Sequence, residues 1–157
     1  MTRPLATPAA WDDPDVRRLT AAQQVELRAR YDGAGEPGTP PSAADVSVVL
    51  VVRDDAGTAL GCGALRHLGD DVAELKRMYV IPEARGRGLS KALLAGLEDA
   101  ARARGWTTLR LETGPRQPEA VALYERAGYR TVPAFGAYAD TPDAQDSLFY
   151  ERVLDRS

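Results

Sequence analysis

A short, basic, glycine-rich turn is the stretch whose residue types and spacing point most directly to chemistry. It lies within residues 80–91, V-I-P-E-A-R-G-R-G-L-S-K, between an apolar β-prone run and the start of an apolar pattern of helical period. Gly86 and Gly88 allow the backbone to approach a ligand closely, and the first N–H groups of the helix point at the same place. Positive charge is added by Arg85, Arg87 and Lys91. The turn predicts a phosphate or pyrophosphate site, and the alternative is an ordinary strand-to-helix corner.

Two common phosphate-binding loops are excluded by their spacing. In a Walker A loop the lysine precedes a Ser or Thr, whereas here Ser90 precedes Lys91. The dinucleotide fingerprint needs a third glycine, which is missing after Gly86 and Gly88 and also after the earlier Gly-x-Gly pair. A phosphate site at this turn would therefore belong to another class.

A strand–helix–strand unit is predicted to carry this turn. The run V-A-E-L-K-R-M-Y-V, residues 72–80, predicts the strand before it. Apolar residues at helical spacing predict a helix from Leu89 to Arg104 that stops at Gly105. The run T-T-L-R-L-E-T, residues 107–113, predicts the next strand, and the right-handed crossover rule places it parallel to the first.

The N-terminal third predicts one helix and one long loop. Residues 4–7 can form a short strand, and Asp12 or Asp13 can cap a helix that continues to about Tyr31. Residues 32–45 are dense in Gly and Pro, so we expect either a lid or a disordered loop there.

The rest of the chain predicts a mostly antiparallel sheet. The runs V-S-V-V-L-V-V-R and T-A-L-G-C-G-A-L-R-H should form an antiparallel meander with residues 72–80, because short acidic and Gly turns join them. A helix over residues 119–127 and a closing strand pair at 129–132 and 147–154 complete the order.

Composition and charge favour a single globular domain over residues 1–157 with small-molecule partners. A chain of 157 residues that is 44% hydrophobic can build one core but is short for two. The net charge of −3, with both signs interspersed, gives no footprint of nucleic-acid or membrane binding. The lone Cys62 excludes an internal disulfide and a Cys-based metal cluster, and no metal is expected. With no apolar leader and no run of membrane-spanning length, we expect a cytoplasmic protein; a homodimer is left open.

Two segments together resemble the GCN5-related N-acetyltransferase (GNAT) superfamily. Residues 85–90 are similar to its acetyl-CoA loop, R/Q-x-x-G-x-G/A, with Ser90 in place of the final Gly or Ala. Residues 117–129, Q-P-E-A-V-A-L-Y-E-R-A-G-Y, are similar to N-x-x-A-x-x-L-Y-x-x-x-G-F/Y, with Gln117 where Asn is usual. The element order matches too, and the resemblance is strongest from Gly61 to Leu154. The run E-L-K-R-M-Y-V, with others, further resembles a bacterial subgroup that acts on small molecules.

The resemblance implies a fold, a co-substrate and a set of binding residues. The fold would be α+β (α/β), the GNAT acyl-CoA N-acyltransferase fold, with a mixed, mostly antiparallel sheet flanked by helices. The co-substrate would be acetyl-CoA, its pantetheine arm held by the backbone around Met78 and Val80. The residues implied for acetyl-CoA are Met78, Tyr79, Val80, Arg85, Gly86, Arg87, Gly88, Leu89, Ser90, Lys91 and Gln117.

Two residues are candidates for the proton transfers of acetyl transfer, which needs a neutral amine and a proton for the leaving thiolate. Glu74 is the candidate base, because it lies eleven residues before Arg85, the separation at which histone-acetylating members of the family carry theirs. Glu112 on the neighbouring strand is the alternative base, and an ordinary ion pair is the alternative role for Glu74. Tyr124 is the candidate acid, because the matching family tyrosine lies near the thioester sulfur.

Three functions remain open from the sequence. The first is N-acetyl transfer from acetyl-CoA to a primary amine of a small molecule, by direct attack in a ternary complex. Strand alternation sends at least one of Lys76 and Arg77 toward the acceptor, which favours an amino acid or a similar amine-bearing acid. The others are a protein or peptide N-acetyltransferase and a non-catalytic acyl-CoA sensor. His67 is interpreted as an ordinary strand histidine and Cys62 as a small buried packing residue.

Overall fold

The computed structural model describes residues 5–33 and 37–155, which form a seven-stranded sheet with helices on both faces. The helices are α1 (Pro14–Arg30), α2 (Leu89–Ala103) and α3 (Pro118–Arg126). The strands are β1 (Ala6–Pro8), β2 (Val46–Arg53), β3 (Ala59–Gly69), β4 (Val72–Val80), β5 (Thr108–Thr113), β6 (Arg130–Thr131) and β7 (Leu148–Val153). Single turns of 3-10 helix lie at Pro82–Ala84, Gly136–Asp140 and Pro142–Ala144.

The sheet is mixed, as the sequence predicted. Its strand order is β1-β2-β3-β4-β5-β7-β6, and every neighbouring pair is antiparallel except β4 and β5. The one parallel pair is the product of the crossover through α2, which confirms the strand–helix–strand prediction.

The parallel pair separates partway along its length. Residues 72–74 of β4 pair with residues 108–110 of β5, and the remaining two thirds of β4 has no partner on that side among the described residues. Within the open part, Arg77 has a left-handed backbone with φ of +58°. The register between β3 and β4 shifts at this point. The bulge turns β4 away from β5 and leaves a wedge between the two strands.

Two helices cover opposite faces of the sheet. α2 buries Leu93, Leu94 and Leu97 in the main core, against residues of β2, β3, β4 and β5. Each such leucine stabilises the fold by about 1.5–3 kcal/mol through the area it removes from water. α1 packs Val16 and Leu19 on the other face, in a second cluster.

Helix ends agree with the predicted signals. Asp13 caps α1 by accepting a 2.8 Å hydrogen bond from the backbone N–H of Asp15, and Pro14 stands in the first turn. α2 is followed by Gly105 with φ of +77°, a backbone conformation that glycine adopts without strain. Among residues 5–33 and 37–155, no helix has the length and apolar content needed to cross a membrane.

Some predicted boundaries differ from the structure. The first strand is Ala6–Pro8 rather than 4–7, and Pro4 lies outside the described residues. The closing strands are shorter than predicted, because only Arg130 and Thr131 pair with β7. Residues 34–36, within the segment predicted to be a lid or a disordered loop, also lie outside the described part of the chain. The single-domain organisation over residues 1–157 stays a prediction.

Candidate active site

Two adjoining cavities open at the wedge between β4 and β5. The turn cavity, about 540 Å³, is lined by the glycine-rich turn and the end of β4. The mixed-charge cavity, about 310 Å³, is lined by Lys76, Arg77, Glu112, Arg116 and Asp146 among others. The residues that line both cavities are Gln23, Leu27, Met78, Gln117, Ala120 and Tyr124.

The glycine-rich turn presents open backbone to the turn cavity. Gly86 and Gly88 have φ of +82° and +76°, and a Cβ built on either would meet nothing within 4 Å. Gly88 precedes the first residue of α2, and none of the described side chains caps that helix. Free N–H groups at a helix start with open space before them can bind phosphate.

The turn cavity brings most of the predicted acetyl-CoA residues together. The predicted residues that line it are Met78, Tyr79, Val80, Arg85, Gly86, Gly88, Leu89, Ser90, Lys91 and Gln117. Arg87 does not line it; this side chain is exposed and donates a 3.3 Å hydrogen bond to the Glu83 carbonyl.

Two carbonyls near the end of β4 already accept hydrogen bonds from side chains. The amide Nε2 of Gln23 donates to the Met78 carbonyl at 2.8 Å. The Nε of Arg85 donates to the Val80 carbonyl at 2.9 Å. The same Arg85 pairs with Glu26 of α1 through Nη2, at 2.8 and 3.0 Å. The backbone predicted to bind pantetheine is therefore bordered by the motif residue Arg85 and by Gln23 and Glu26 of α1, which no motif indicated.

Gln117 is held by the end of α1. Its Oε1 accepts a 3.1 Å hydrogen bond from the Tyr31 hydroxyl, which itself accepts one from the backbone N–H of Arg116 at 3.2 Å. A Cβ on Gly114 would overlap that hydroxyl, so glycine is required for this close approach. Gln117 thus links α1 to the start of α3 and lines both cavities.

Tyr124 lies where the two cavities meet. It is 6% exposed, and its ring packs edge-on against Tyr129 with centroids 5.7 Å apart. Burial, and secondarily the nearby Glu112 carboxylate, raise the pKa of the Tyr124 phenol well above its ordinary value. The phenol is therefore neutral at physiological pH, and its raised pKa makes it a weaker acid than a tyrosine in water.

Glu74 lies in a buried polar cluster rather than in a cavity wall. It is 1% exposed; Oε1 accepts from Arg66 Nη2 at 2.8 Å, and Oε2 accepts from the Tyr138 hydroxyl at 2.5 Å. Lys76 Nζ lies 4.0 Å from Oε2. In the described part of the chain, Glu74 lines neither of the two cavities.

Glu112, the alternative base, lines the mixed-charge cavity. Both Lys76 and Arg77 also line that cavity, although strand alternation would send them to opposite sides. The left-handed backbone at Arg77 breaks the alternation and accounts for this. Positive charges on β4 therefore share one cavity with negative charges on and after β5.

Several residues of the site carry no sequence signal. They are Gln23 on α1, Tyr31 directly after α1, Arg66 on β3, Thr113 on β5 and Tyr138 on a 3-10 turn. Gln23 Oε1 and Thr113 Oγ1 are buried with no hydrogen-bond partner among the described residues, and both residues line the mixed-charge cavity. The sequence predicted a helix that continues to about Tyr31 but not which of its polar residues would face the wedge.

His67 lies on β3 and Cys62 is buried, as the sequence predicted. His67 stacks on Trp106 at 4.5 Å, and its Nε2 donates to the Asp70 carbonyl at 2.8 Å. Cys62 is 1% exposed, and burial raises the pKa of its thiol to about 12. Across residues 5–33 and 37–155, no cluster of His, Cys, Asp and Glu could hold a metal ion.

Comparisons with known proteins agree with this geometry. The model of the acetyltransferase (GNAT) family matches residues 10–129. An IAA acetyltransferase of Azospirillum brasilense is 36% identical over 139 residues, covering 84% of this chain and 89% of that protein. A Klebsiella pneumoniae structure, provisionally described as an acyl-CoA N-acyltransferase, has a TM-score of 0.81 and 38% identity, covering 97% of this chain and 98% of that one.

A more distant structure carries the co-substrate. A phosphinothricin acetyltransferase of Sinorhizobium meliloti, solved in complex with AcCoA, covers 99% of this chain and 91% of its own, with a TM-score of 0.69 and 22% identity. At that identity the likeness concerns the fold alone. The family model and the Azospirillum relative carry the assignment: the chain belongs to the GNAT family and is an N-acetyltransferase.

Proposed function

We propose that the protein transfers the acetyl group of acetyl-CoA to the primary amine of a small molecule that also carries a carboxylate, such as an amino acid. The observation that carries this proposal is the meeting of two cavities at Tyr124, one with a phosphate-type turn and one with charges of both signs. A donor in one cavity and an acceptor in the other would bring thioester and amine together, so that attack is direct.

The turn cavity fits the donor. The open backbone at Gly86 and Gly88 and the start of α2 suit the pyrophosphate, and Lys91 adds positive charge beside them. On the side facing β5, the later part of β4 has no partner strand among the described residues. This edge, which includes Tyr79 and Val80, offers an extended backbone along which a pantetheine arm would run toward Tyr124.

The mixed-charge cavity fits an acceptor with two opposite charges. Lys76 and Arg77 supply positive charge from β4, and Glu112 and Asp146 supply negative charge from the other side. An amine-bearing acid would place its carboxylate near the first pair and its ammonium near the second. A volume of about 310 Å³ suits a molecule of amino-acid size better than a folded protein.

The two proton transfers are assigned to a carboxylate, as the base, and a phenol, as the acid. We propose that Glu112 accepts the proton of the ammonium, because it lines the acceptor cavity, and Glu74 is the alternative base. The neutral nitrogen attacks the thioester carbonyl, the C–N bond forms and the C–S bond breaks. Tyr124 then gives its phenolic proton to the leaving thiolate, and the second proton that the nitrogen loses as it becomes an amide restores the phenol. Tyr124 carries that proton at neutral pH, as a phenol does even at its ordinary pKa.

Incubation with acetyl-CoA and a panel of amines tests the proposal. The panel contains amino acids, polyamines, aminoglycosides and peptides, and acetylated products are identified by mass spectrometry. We expect the highest kcat/KM for an amine that bears a carboxylate. Faster turnover of polyamines or aminoglycosides than of any amine-bearing acid would overturn the acceptor class, and acetylation of peptides alone would point to a protein acetyltransferase.

A further inference from the structure

An ion pair spans the wall of the turn cavity and joins the glycine-rich turn to α1. Arg85 Nη2 donates to both carboxylate oxygens of Glu26, at 2.8 and 3.0 Å. Both residues line the turn cavity and both are only partly exposed, at 36% and 27% for their side chains. The Arg85 side chain therefore points toward α1, although it belongs to the turn that is predicted to bind phosphate.

The remainder of the Arg85 guanidinium is held by β4. Its Nε donates to the Val80 carbonyl at 2.9 Å, and its carbon lies 5.6 Å from the centre of the Tyr79 ring. These contacts fix the guanidinium between the end of β4 and α1. Moving it to a phosphate would leave the Val80 carbonyl and the Glu26 carboxylate without these donors, and would leave Glu26 beside the added negative charge.

A second contact of the same kind lies three residues earlier on α1. Gln23 Nε2 donates to the Met78 carbonyl at 2.8 Å. Met78 and Val80 are two residues apart on β4, so their carbonyls point to the same side of the strand. α1 is therefore attached to two carbonyls on the open edge of β4. Gln23 bonds directly to the Met78 carbonyl, and Glu26 is linked to the Val80 carbonyl through Arg85.

We propose that the Arg85 side chain is a positioning residue that clamps α1 against β4, and that it does not contact the phosphates of the donor. The proposal rests on the proposed binding of acetyl-CoA in the turn cavity. Phosphate recognition then belongs to the backbone of the turn, where Gly86 and Gly88 leave open space, and to Lys91. The clamp shapes the wall beside pantetheine, because Gln23 and Leu27 of α1 line both cavities.

The two roles of Arg85 predict different responses to a donor that lacks phosphate. S-acetylpantetheine carries the thioester and the pantetheine amides but no phosphate. Loss of a clamp weakens binding of both donors by one common factor, since both use the pantetheine slot. Loss of a phosphate contact weakens acetyl-CoA alone. A variant that removes the Glu26 charge also distinguishes the two roles. If Glu26 competed with phosphate for Arg85, removing its charge would tighten acetyl-CoA binding.

The experiment measures dissociation constants of both donors by titration calorimetry for the wild type, Arg85→Gln and Glu26→Gln. We expect each variant to weaken both donors by about 2- to 5-fold, in line with a partly exposed ion pair. Arg53→Gln is the matched control, because Arg53 makes a 2.8 Å ion pair from β2 to Asp15 of α1 and lines neither cavity among the described residues. This control should bind both donors as the wild type does.

Three results would overturn the clamp. They are weakening of acetyl-CoA alone by Arg85→Gln, tighter acetyl-CoA binding by Glu26→Gln, and unchanged binding of both donors in both variants. A wild-type protein that bound neither donor would contradict the proposed function instead, which keeps the two failures distinct. Thermal melts of each variant check that it is folded.

Discussion

The Tyr138 hydroxyl donates a 2.5 Å hydrogen bond to the Glu74 carboxylate, and this bond joins a late loop to the centre of the sheet. Lys76 Nζ also donates to the Tyr138 hydroxyl at 3.0 Å. A Cβ on Gly38 would lie 2.6 Å from the Tyr138 ring, so the loop after α1 packs on the same residue. One buried phenol therefore holds two segments that flank the mixed-charge cavity.

Tyr138→Phe should destabilise the protein. A hydrogen bond to a charged group contributes about 1.5–3 kcal/mol, and here the carboxylate left behind is buried. We expect the free energy of unfolding to fall by about 2 kcal/mol and the Tm by about 4–8 °C. Tyr150→Phe is the matched control, since its hydroxyl bonds to Glu125 in a less buried pair at 3.1 Å and should cost less. An equal fall in the free energy of unfolding in both variants would contradict the larger contribution that we assign to the Tyr138–Glu74 hydrogen bond.

The same bond predicts a dependence of stability on alkaline pH. Burial, followed by the Glu74 charge, raises the pKa of Tyr138 above that of an unfolded tyrosine. The folded protein therefore keeps the proton that the unfolded chain loses. Stability from this group is complete below about pH 10 and declines as the pH rises further. Wild-type melts between pH 8 and 11 should show this decline, and it should be smaller in Tyr138→Phe.

Sequence patterns predicted the frame of the molecule but not all of its site. The two glycines and the periodic leucines after them are local signals, so the turn, α2 and the crossover to β5 followed directly. Glu74 was selected by its spacing from Arg85 and its place in the strand before the turn, and neither identifies the side chains that contact it. Its partners Arg66 and Tyr138 come from β3 and from a 3-10 turn near the C-terminus, and only the folded sheet brings them together.

The acceptor side was predicted least well for a similar physical reason. Gln23 and Tyr31 face the wedge because β4 separates from β5, and this separation depends on a bulge at Arg77. An arginine in a left-handed conformation gives no signal in a strand of alternating pattern. The role of α1 in both cavities was therefore not visible from the sequence.

Gly88→Val should abolish binding of acetyl-CoA while leaving the fold intact. The side chain would occupy the space that the phosphate needs, and the φ of +76° makes the substitution strained. Saturating acetyl-CoA stabilises a protein that binds it by about 2.7 kcal/mol at a hundredfold excess over Kd, and the variant should lose this thermal shift.

Gly105→Val controls for the strain in that experiment. Gly105 has a φ of +77° and a Cβ built there also meets nothing within 4 Å, but it follows α2 and lines neither cavity among the described residues. It should lower the Tm by a similar amount and keep the full acetyl-CoA shift. A normal shift in Gly88→Val would count against the turn as the phosphate site.

Glu112→Gln and Glu74→Gln should have different effects, the first on activity and the second on stability. Loss of the base should lower kcat/KM by about 10²–10⁴-fold and remove the acidic limb of its pH profile. We expect this of Glu112→Gln, with unchanged affinity for acetyl-CoA. Glu74→Gln should mainly lower stability, because Arg66 would lose a buried carboxylate partner. If only Glu74→Gln removes the acidic limb, then Glu74 is the base.

Tyr124→Phe should lower kcat and leave the acidic limb in place. A thiolate is already a fair leaving group, so we expect a loss near the lower end of the 10²–10⁴-fold range for one positioned acid. Burial raises the pKa of Tyr124, so its own ionisation should not limit the wild type below about pH 10. A kcat within twofold of the wild type would remove Tyr124 from the mechanism.

The measurement that tests the account most directly is the initial velocity of acetyl transfer over a matrix of acetyl-CoA and acceptor concentrations. The proposed places of donor and acceptor in two adjoining cavities allow both to be bound together, and the buried Cys62, with its pKa raised to about 12, offers no thiolate to carry the acetyl group. The account predicts double-reciprocal lines that intersect. Parallel lines, the mark of an acetylated enzyme intermediate, would contradict it.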